Sequence, residues 1–123
     1  MTGPRQFPCR IERVVDGDTI DVLVDQGFHT FRDVRVRLAG IDAPETRTRD
    51  LAEKERGLAA KARVEALCPV GSEFWLRSDE IGKFGRCIGD IQLPSDLPGR
   101  EYWLTDVLLS ERLVKPYDGG ART

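Results

Sequence analysis

The sequence contains few of the residues that mark several common kinds of site. Its three cysteines, Cys9, Cys68 and Cys87, form no CxxC pair, which argues against a zinc site and against a disulfide framework. We expect buried, reduced thiols instead. The single histidine, His29, has no obvious partner, so a Ser-His or Cys-His nucleophile is not expected. No apolar run approaches the roughly 20 residues of a membrane-spanning helix, and we expect no membrane association.

An excess of positive charge is also missing. The 123 residues carry a formal net charge of −2, which is not the footprint of a protein that holds nucleic acid by bulk electrostatics. Any such binding must therefore be local. Basic residues do cluster along the chain, at Arg32, Arg35, Arg37, Arg47 and Arg49. The N-terminus has no apolar stretch of signal-peptide length, from which we expect a cytoplasmic location.

Alternation of apolar and polar residues predicts strands in the first third of the chain. Ile20, Val22 and Val24 alternate with polar neighbours, which is the period of a half-buried strand. Turn signals separate this segment from the two beside it. We therefore expect three consecutive antiparallel strands, at Arg10–Val15, Thr19–Asp25 and His29–Leu38.

The rest of the chain predicts two helices and two further strands. A helix is expected from Leu58 to just before Cys68, because Gly57 costs about 1 kcal/mol in a helix interior. Strands are expected at residues 73–77 and 87–93, and a short helix at residues 106–113 with Thr105 as its N-cap.

This order of elements matches an all-β barrel with helices (α+β). More specifically, it predicts a five-stranded barrel of the oligonucleotide-binding type, with one helix between strands 3 and 4 and a short helix near the C-terminus. At this length we expect a single domain over residues 9–117, with tails at 1–8 and 118–123. The architecture alone suggests only that the protein binds an oligomer.

Two acidic residues lie beside predicted strand ends. Asp16-Gly17-Asp18 taken alone is a common hairpin turn, and its spacing does not fit an EF-hand loop. Asp42 lies at the edge of another predicted strand, and Pro44 biases Ala43 to an extended conformation from which its carbonyl can project. Two carboxylates and a main-chain carbonyl make an oxygen site suited to Ca²⁺.

Three motifs then occur in order: Asp16-Gly17-Asp18-Thr19, the segment Arg37 to Glu45 that contains Ile41-Asp42-Ala43-Pro44, and Lys83-Phe84-Gly85-Arg86. Together they resemble the staphylococcal nuclease (thermonuclease) family, from about Cys9 to Tyr117. The resemblance implies a hydrolase: a Ca²⁺-dependent nuclease that cuts the phosphodiester bonds of DNA and RNA and leaves 3′-phosphates. It also implies a nucleic-acid partner, which we expect to be single-stranded or locally open, and we expect a monomer.

Carried over position by position, the resemblance implies that Asp18, Asp42 and the Ala43 carbonyl bind Ca²⁺, with Asp16 as a carboxylate just outside the ligand set. The expected catalytic residues are Arg37, Glu45 and Arg86. The expected substrate contacts are Lys83, Phe84 and Tyr117. The chemistry agrees independently, because guanidiniums match the charge that gathers on the oxygens of a phosphodiester under attack. Glu45 would accept or orient the proton of the attacking water.

Two other interpretations compete with the nuclease. The first is a non-catalytic barrel that binds nucleic acid, and the second is a structural or interaction domain in which the motifs are incidental. The discriminating feature is the full set Asp18, Arg37, Asp42, Glu45 and Arg86. A degenerate binding module would be expected to have lost at least one of them, so the sequence favours the enzyme.

Overall fold

The computed structural model describes residues 5–81, 85–94 and 102–117. Eight strands and two helices follow one another along the chain. They are β1 (Arg5–Asp16), β2 (Thr19–Asp25), β3 (Phe31–Leu38), β4 (Ile41–Asp42), α1 (Leu51–Leu67), β5 (Glu73–Ile81), β6 (Arg86–Leu93), β7 (Tyr102–Trp103), α2 (Leu104–Ser110) and β8 (Lys115–Pro116).

Five of the strands form a closed barrel of the oligonucleotide-binding type, as the sequence predicts. β1, β2 and β3 form the antiparallel meander, and β1 also pairs with β5, which pairs with β6. The barrel closes through a parallel pairing of β3 with β6, from Arg35 opposite Arg86 to Leu38 opposite Gly89. The remaining short strands lie outside this ring, with β4 paired to β8 and β7 to β6.

The barrel interior holds the apolar side chains that the alternation predicts. Along β2, every second residue is buried, including Ile20 and Val22, while the residues between them are partly exposed. Each such side chain contributes roughly 1.5–3 kcal/mol when it leaves water. Both helices add to this core, α1 through Val64 and α2 through Leu104 and Leu108. The predicted face of β2 is therefore the face that packs.

Several strand boundaries differ from the sequence prediction, and β5 extends to Ile81 instead of ending at residue 77. β1 begins at Arg5, because its first residues pair with β5 from Arg5 opposite Ser78 onward. Residues 5–8, assigned above to a tail, are therefore part of the barrel wall. β3 begins at Phe31 instead of His29, because Phe28 and His29 adopt left-handed backbone conformations in the turn, with φ of 55° and 59°.

Helix α1 begins at Leu51, seven residues before the predicted start. The reason is the carboxylate of Asp50, which caps the helix by accepting hydrogen bonds from the N–H groups of Ala52 and Glu53 at 3.0 and 3.2 Å. Gly57 lies inside the helix and is buried. Glycine is needed at this position despite its low helix propensity, because the main chain of Pro44 and Glu45 leaves no room for a side chain.

Helix α2 spans Leu104–Ser110, and Thr105 is not its N-cap, contrary to the prediction. The Thr105 hydroxyl donates instead to the buried carboxylate of Asp90. Asp90 also accepts hydrogen bonds from the N–H groups of Thr105 and Ile91. This carboxylate therefore attaches the start of α2 to β6.

The three cysteines are buried and free, as expected. Burial raises the pKa of Cys9 and of Cys68 to about 12, so both remain thiols at neutral pH. Within the part of the chain that the structure describes, no helix is long and apolar enough to cross a membrane.

Candidate active site

Arg37 lies between the carboxylates of Asp18 and Asp42. Its Nη1 atom is 3.0 Å from Oδ2 of Asp18, and its Nη2 atom is 3.5 Å from Oδ1 of Asp42. The pairing of β2 with β3 puts Thr19 opposite Arg37, so the turn that precedes β2 carries Asp18 to the guanidinium. β4 follows β3 closely and brings Asp42 to its other side. Two acidic groups far apart in the sequence thus meet at one cation.

One donor of Arg37 is left without a good hydrogen bond. Nη1 is buried and, among the described residues, finds no hydrogen-bond partner of acceptable geometry, although Asp18 is only 3.0 Å away. The contact with Asp18 is therefore chiefly an attraction between charges. The Arg37 side chain as a whole is 32% exposed, so its guanidinium remains within reach of an anionic group.

Asp18 is buried and connects three segments of the site by hydrogen bonds. Its Oδ2 atom accepts a hydrogen bond from the N–H of Ala43 at 3.0 Å, and Oδ1 accepts one from the hydroxyl of Thr19 at 2.9 Å. Its carbonyl accepts from the N–H of Leu38 at 2.8 Å. Both side-chain oxygens thus have fixed partners, and the main chain of Ala43 lies directly beside this carboxylate.

Glu45 lies on an exposed segment that is held from two sides. The hydroxyl of Thr46 donates to Asp16 at 2.6 Å, and Gly57 of α1 packs against the main chain of Pro44 and Glu45. Asp16 therefore fixes the segment next to Glu45. Glu45 itself is exposed to solvent, which leaves its carboxylate accessible to water.

Arg86 begins β6 and is exposed, opposite Arg35 in the parallel register. It forms no ion pair with the described residues, whereas Arg35 is held by Asp21 at 2.8 Å. Arg86 and Arg37 line a cavity of about 600 Å³, here called the arginine cavity. Its other charged lining residues are Arg13, Asp16, Arg35, Arg47 and Glu80. Lys83 and Phe84 lie outside the described residues.

Tyr117 is attached to the same site. Its ring centroid lies 5.9 Å from the guanidinium carbon of Arg37, within the range of a cation–π contact. Its N–H donates to the carbonyl of Gly40 at 2.9 Å. The structure therefore places Tyr117 against Arg37; its contact with a substrate stays a prediction.

The oxygen atoms at this site suit a hard divalent cation. Two carboxylates converge on one positive charge, and the main chain of Ala43 lies beside them. Among the residues that the structure describes, no three acidic, histidine or cysteine side chains form a metal cluster. A cation here would take further ligands from the main chain and from water, which calcium accepts readily.

Several residues at this site gave no signal in the sequence. Thr46 reads as an ordinary loop residue, and its bond to Asp16 depends on a contact between segments thirty positions apart. Arg13 enters the arginine cavity from β1, outside every motif. Only the closed barrel brings these residues together.

Comparison with known proteins shows the family to which the chain belongs. Residues 35–122 match the sequence profile of the family described as staphylococcal nuclease homologue. The chain belongs to the staphylococcal nuclease family. The family match contains Arg37, Asp42, Glu45 and Arg86, whereas Asp18 precedes it.

Two relatives extend the comparison beyond the profile of the staphylococcal nuclease family. A micrococcal nuclease from Shigella flexneri is 35% identical over 101 residues, which is 82% of this chain and 51% of the relative. A protein named ParB from Escherichia coli is 36% identical over 92 residues, 73% of this chain and 44% of the relative. The chain therefore spans about half the length of the curated relatives it matches.

Proposed function

We propose that this member of the staphylococcal nuclease family is a Ca²⁺-dependent nuclease that hydrolyses phosphodiester bonds of DNA and RNA and leaves 3′-phosphates. The observation that carries the proposal is the position of Arg37. It lies between two carboxylates, Asp18 and Asp42, while its side chain stays partly exposed and lines the arginine cavity. This arrangement supports the binding of an anionic group close to acidic residues, which is what phosphodiester hydrolysis requires.

Arg37 and Arg86 would bind the phosphate. Both line the arginine cavity, and each offers paired donors that match two oxygens of a phosphoryl group. Negative charge grows on those oxygens as water attacks, so donors fixed in advance stabilise the transition state more than the ground state. Tyr117, packed against Arg37, would help to keep the guanidinium in place and contact the nucleotide. Lys83 and Phe84, which lie outside the described residues, are proposed as further substrate contacts.

Glu45 would act on the attacking water. As the water oxygen forms its bond to phosphorus, its proton passes to the Glu45 carboxylate or is oriented by it. The bond from phosphorus to the 5′ oxygen breaks, and that oxygen takes up a proton from solvent. The phosphate stays on the 3′ side. The exposure of Glu45 and the contacts that hold its segment through Thr46 and Gly57 support this role.

Asp18, Asp42 and the carbonyl of Ala43 would hold Ca²⁺, with Asp16 outside the ligand set. The bound ion supplies Lewis-acid stabilisation to the phosphate oxygens. Asp18 and Asp42 already lie on either side of one positive charge, which supports their sharing a cation.

An unpaired strand is the proposed substrate, and a single copy of the chain the proposed active form. The arginine cavity, of about 600 Å³, falls in the size range of pockets that take one small ligand, roughly 300–1,000 Å³. An unpaired nucleotide enters such a space more readily than a base pair does. The groups assigned to binding and chemistry all come from one chain.

The test is the release of acid-soluble product from denatured DNA, with Ca²⁺ and with a chelator. Glu45→Ala and Arg37→Ala would be assayed beside two matched controls, Glu55→Ala and Arg10→Ala, which remove an exposed side chain of the same type away from the site. We expect loss of activity in the two site variants and with chelator, and wild-type rates in the controls.

A non-catalytic binding module is the competing function, because a barrel of this type binds oligomers without cutting them. It predicts a wild-type protein that binds DNA and releases no product with any divalent ion. That result would refute the nuclease proposal and leave Arg37 and Arg86 as binding residues.

A further inference from the structure

A second cavity is lined by Asp42, which does not line the arginine cavity. Its volume is about 630 Å³. Asp42 and Glu45 line it together with side chains from α1 and from the segment before β8. We call it the α1 cavity, because several of its lining residues lie on that helix. Its charged lining residues other than Asp42 and Glu45 are Glu53, Arg56, Arg112 and Lys115. The contact between Arg37 and Asp42 joins the two cavities, since each residue lines one of them.

The three basic residues of the α1 cavity form no ion pair within the described parts of the chain, although Lys115 lies opposite Asp42 in the pairing of β8 with β4. Arg56, Arg112 and Lys115 are exposed and form no ion pair there. Other arginines nearby are paired, and Arg63 on the same helix is held by Glu111 at 2.8 Å. Unpaired cations that converge on a cavity are typical of a binding site for an anion.

The backbone fixes the positions of two of these cations, Lys115 and Arg112. Lys115 lies directly opposite Asp42 in the pairing of β8 with β4, so the two side chains are on the same face and close together. Arg112 has a left-handed backbone conformation, with φ of 59°. Glycine adopts this conformation without strain, whereas another residue pays roughly 1–3 kcal/mol. The conformation ends helix α2, where the N–H of Leu113 donates to the carbonyl of Leu108, and it brings the Arg112 side chain to the lining of the cavity.

We propose that the α1 cavity binds a second phosphate of the same polynucleotide, on the far side of the scissile bond from the arginine cavity. The proposal rests on the proposed nuclease function and extends it. A strand that follows both cavities passes over Asp42 and Glu45 and contacts basic residues on either side of the bond to be cut. The protein then selects bonds that have a further phosphate beyond the leaving nucleoside over the bond to a 3′-terminal nucleoside, which has none.

Glu53 is the acidic residue in this cavity that the proposed chemistry does not use. It lies in the first turn of α1, which projects into the same space as Arg56. A carboxylate there repels a bound phosphate, so Glu53→Gln should strengthen binding. This variant gains affinity, so a folding defect cannot imitate its effect.

The test compares Arg56→Ala/Arg112→Gly/Lys115→Ala with a control of equal charge change, Arg10→Ala/Lys54→Ala/Lys61→Ala. Glycine is chosen at position 112 because it suits the backbone there. Binding is followed by fluorescence anisotropy, in chelator so that nothing is cut. The ligands are a thymidylate dinucleotide and an oligothymidylate long enough to span both cavities, each measured over a series of salt concentrations.

For the oligothymidylate, we expect the slope of log K against log salt to become shallower by about 0.7 in the cavity variant, since the loss of one phosphate contact removes about 0.7 on a single strand. Its affinity should fall on the order of tenfold, because each exposed cation contributes a factor of roughly two to five. The control should keep the wild-type slope, and Glu53→Gln should bind more tightly than wild type.

Equal slopes in the cavity variant and the control would overturn the proposal, even if the wild type cuts DNA. So would an equal loss of affinity for the dinucleotide and the oligomer. If the slope falls as expected but the wild type cuts nothing with any divalent ion, the nuclease proposal fails and the phosphate site stands. A wild type that binds neither ligand would overturn both.

Discussion

Gly57 lies against the main chain of Glu45 with no room for a side chain between them. A Cβ atom on Gly57 would come within 2.7 Å of the Glu45 carbonyl oxygen and within 2.8 Å of that of Pro44. Real Cβ atoms do not approach main-chain oxygens so closely, so either the helix or the segment must move. Helix α1 thus sets the position of the residue proposed to act on water.

Gly57→Ala should reduce cleavage more than it reduces stability. Alanine gains roughly 0.5–1 kcal/mol of helix propensity, which offsets part of the steric cost, but the segment that carries Glu45 must shift. A displacement of about 1 Å costs on the order of 100-fold in rate. Steady-state rates and urea unfolding of this variant would be compared with those of Glu55→Ala, a control on the exposed face of the same helix. A wild-type rate in Gly57→Ala would show that α1 does not position Glu45.

Thr46→Val should slow cleavage through the loss of a single hydrogen bond. The Thr46 hydroxyl donates to Asp16 at 2.6 Å, and removing it leaves Asp16 without that donor at a cost of about 1–3 kcal/mol. Thr48→Val is the matched control, because it also removes a threonine hydroxyl from this loop. The Thr48 hydroxyl accepts a hydrogen bond from the N–H of Asp50 and does not contact Asp16. We expect kcat to fall severalfold in Thr46→Val only. Equal rates in the two variants would remove Asp16 and Thr46 from the positioning of Glu45.

Arg37→Ala should make stability depend on Ca²⁺. The variant leaves the buried carboxylate of Asp18 without its cation at 3.0 Å, which costs about 1–3 kcal/mol. A divalent ion can replace that charge, so adding Ca²⁺ should raise the Tm of the variant more than that of the wild type. Thermal unfolding over a Ca²⁺ titration measures this without any cleavage. Arg63→Ala, which breaks an exposed pair, should show the wild-type response, and a wild-type response in Arg37→Ala would count against metal binding by Asp18.

Asp90 should make the protein less stable as the pH rises above about 4. Burial raises the pKa of this carboxyl above its ordinary value of 3.8, although hydrogen bonds from Thr105 and Ile91 and the charge of Arg77 act in the opposite direction. The native state therefore binds more protons than the unfolded state between the ordinary and the raised pKa. By linkage, the free energy of unfolding falls as the pH rises through that window.

Asp90→Asn removes this titration while keeping the shape of the side chain. Its oxygen can still accept from the N–H groups of Ile91 and Thr105. We expect the variant to gain stability relative to wild type as the pH rises through the window. Urea unfolding at a series of pH values measures the difference. A constant difference, or one of opposite sign, would show that ionisation of Asp90 costs nothing in the folded protein.

The sequence predicts best where a local pattern decides the structure. β2 runs from Thr19 to Asp25 as expected, with alternating burial, because side-chain direction in a strand follows the backbone period. The start of α1 was missed because Gly57 was interpreted from helix propensity alone. Glycine is needed there because the main chain of Pro44 and Glu45 lies against it. A contact between segments of this kind cannot be predicted from the local sequence.

The site likewise contains one feature that the sequence predicts and one that it does not. That Asp18 and Asp42 lie near each other follows from their places at strand ends. The insertion of Arg37 between them does not follow, because it depends on side-chain conformations in the closed barrel. The sequence does not predict the burial of Asp90, because nothing in its local pattern distinguishes a buried aspartate from an exposed one. Its partners in α2 lie fifteen positions away.

The parallel pairing of β3 with β6 ties the site to the folding of the whole chain. Arg35 and Arg86 meet across this seam although 51 positions separate them in the sequence, and folding that depends on such distant contacts is slow. The two sides of the arginine cavity do not face each other before the seam closes. A chain that is still emerging from the ribosome, or one whose seam has opened under stress, has no assembled cleft. Cleavage would then report on barrel closure as directly as any spectroscopic probe.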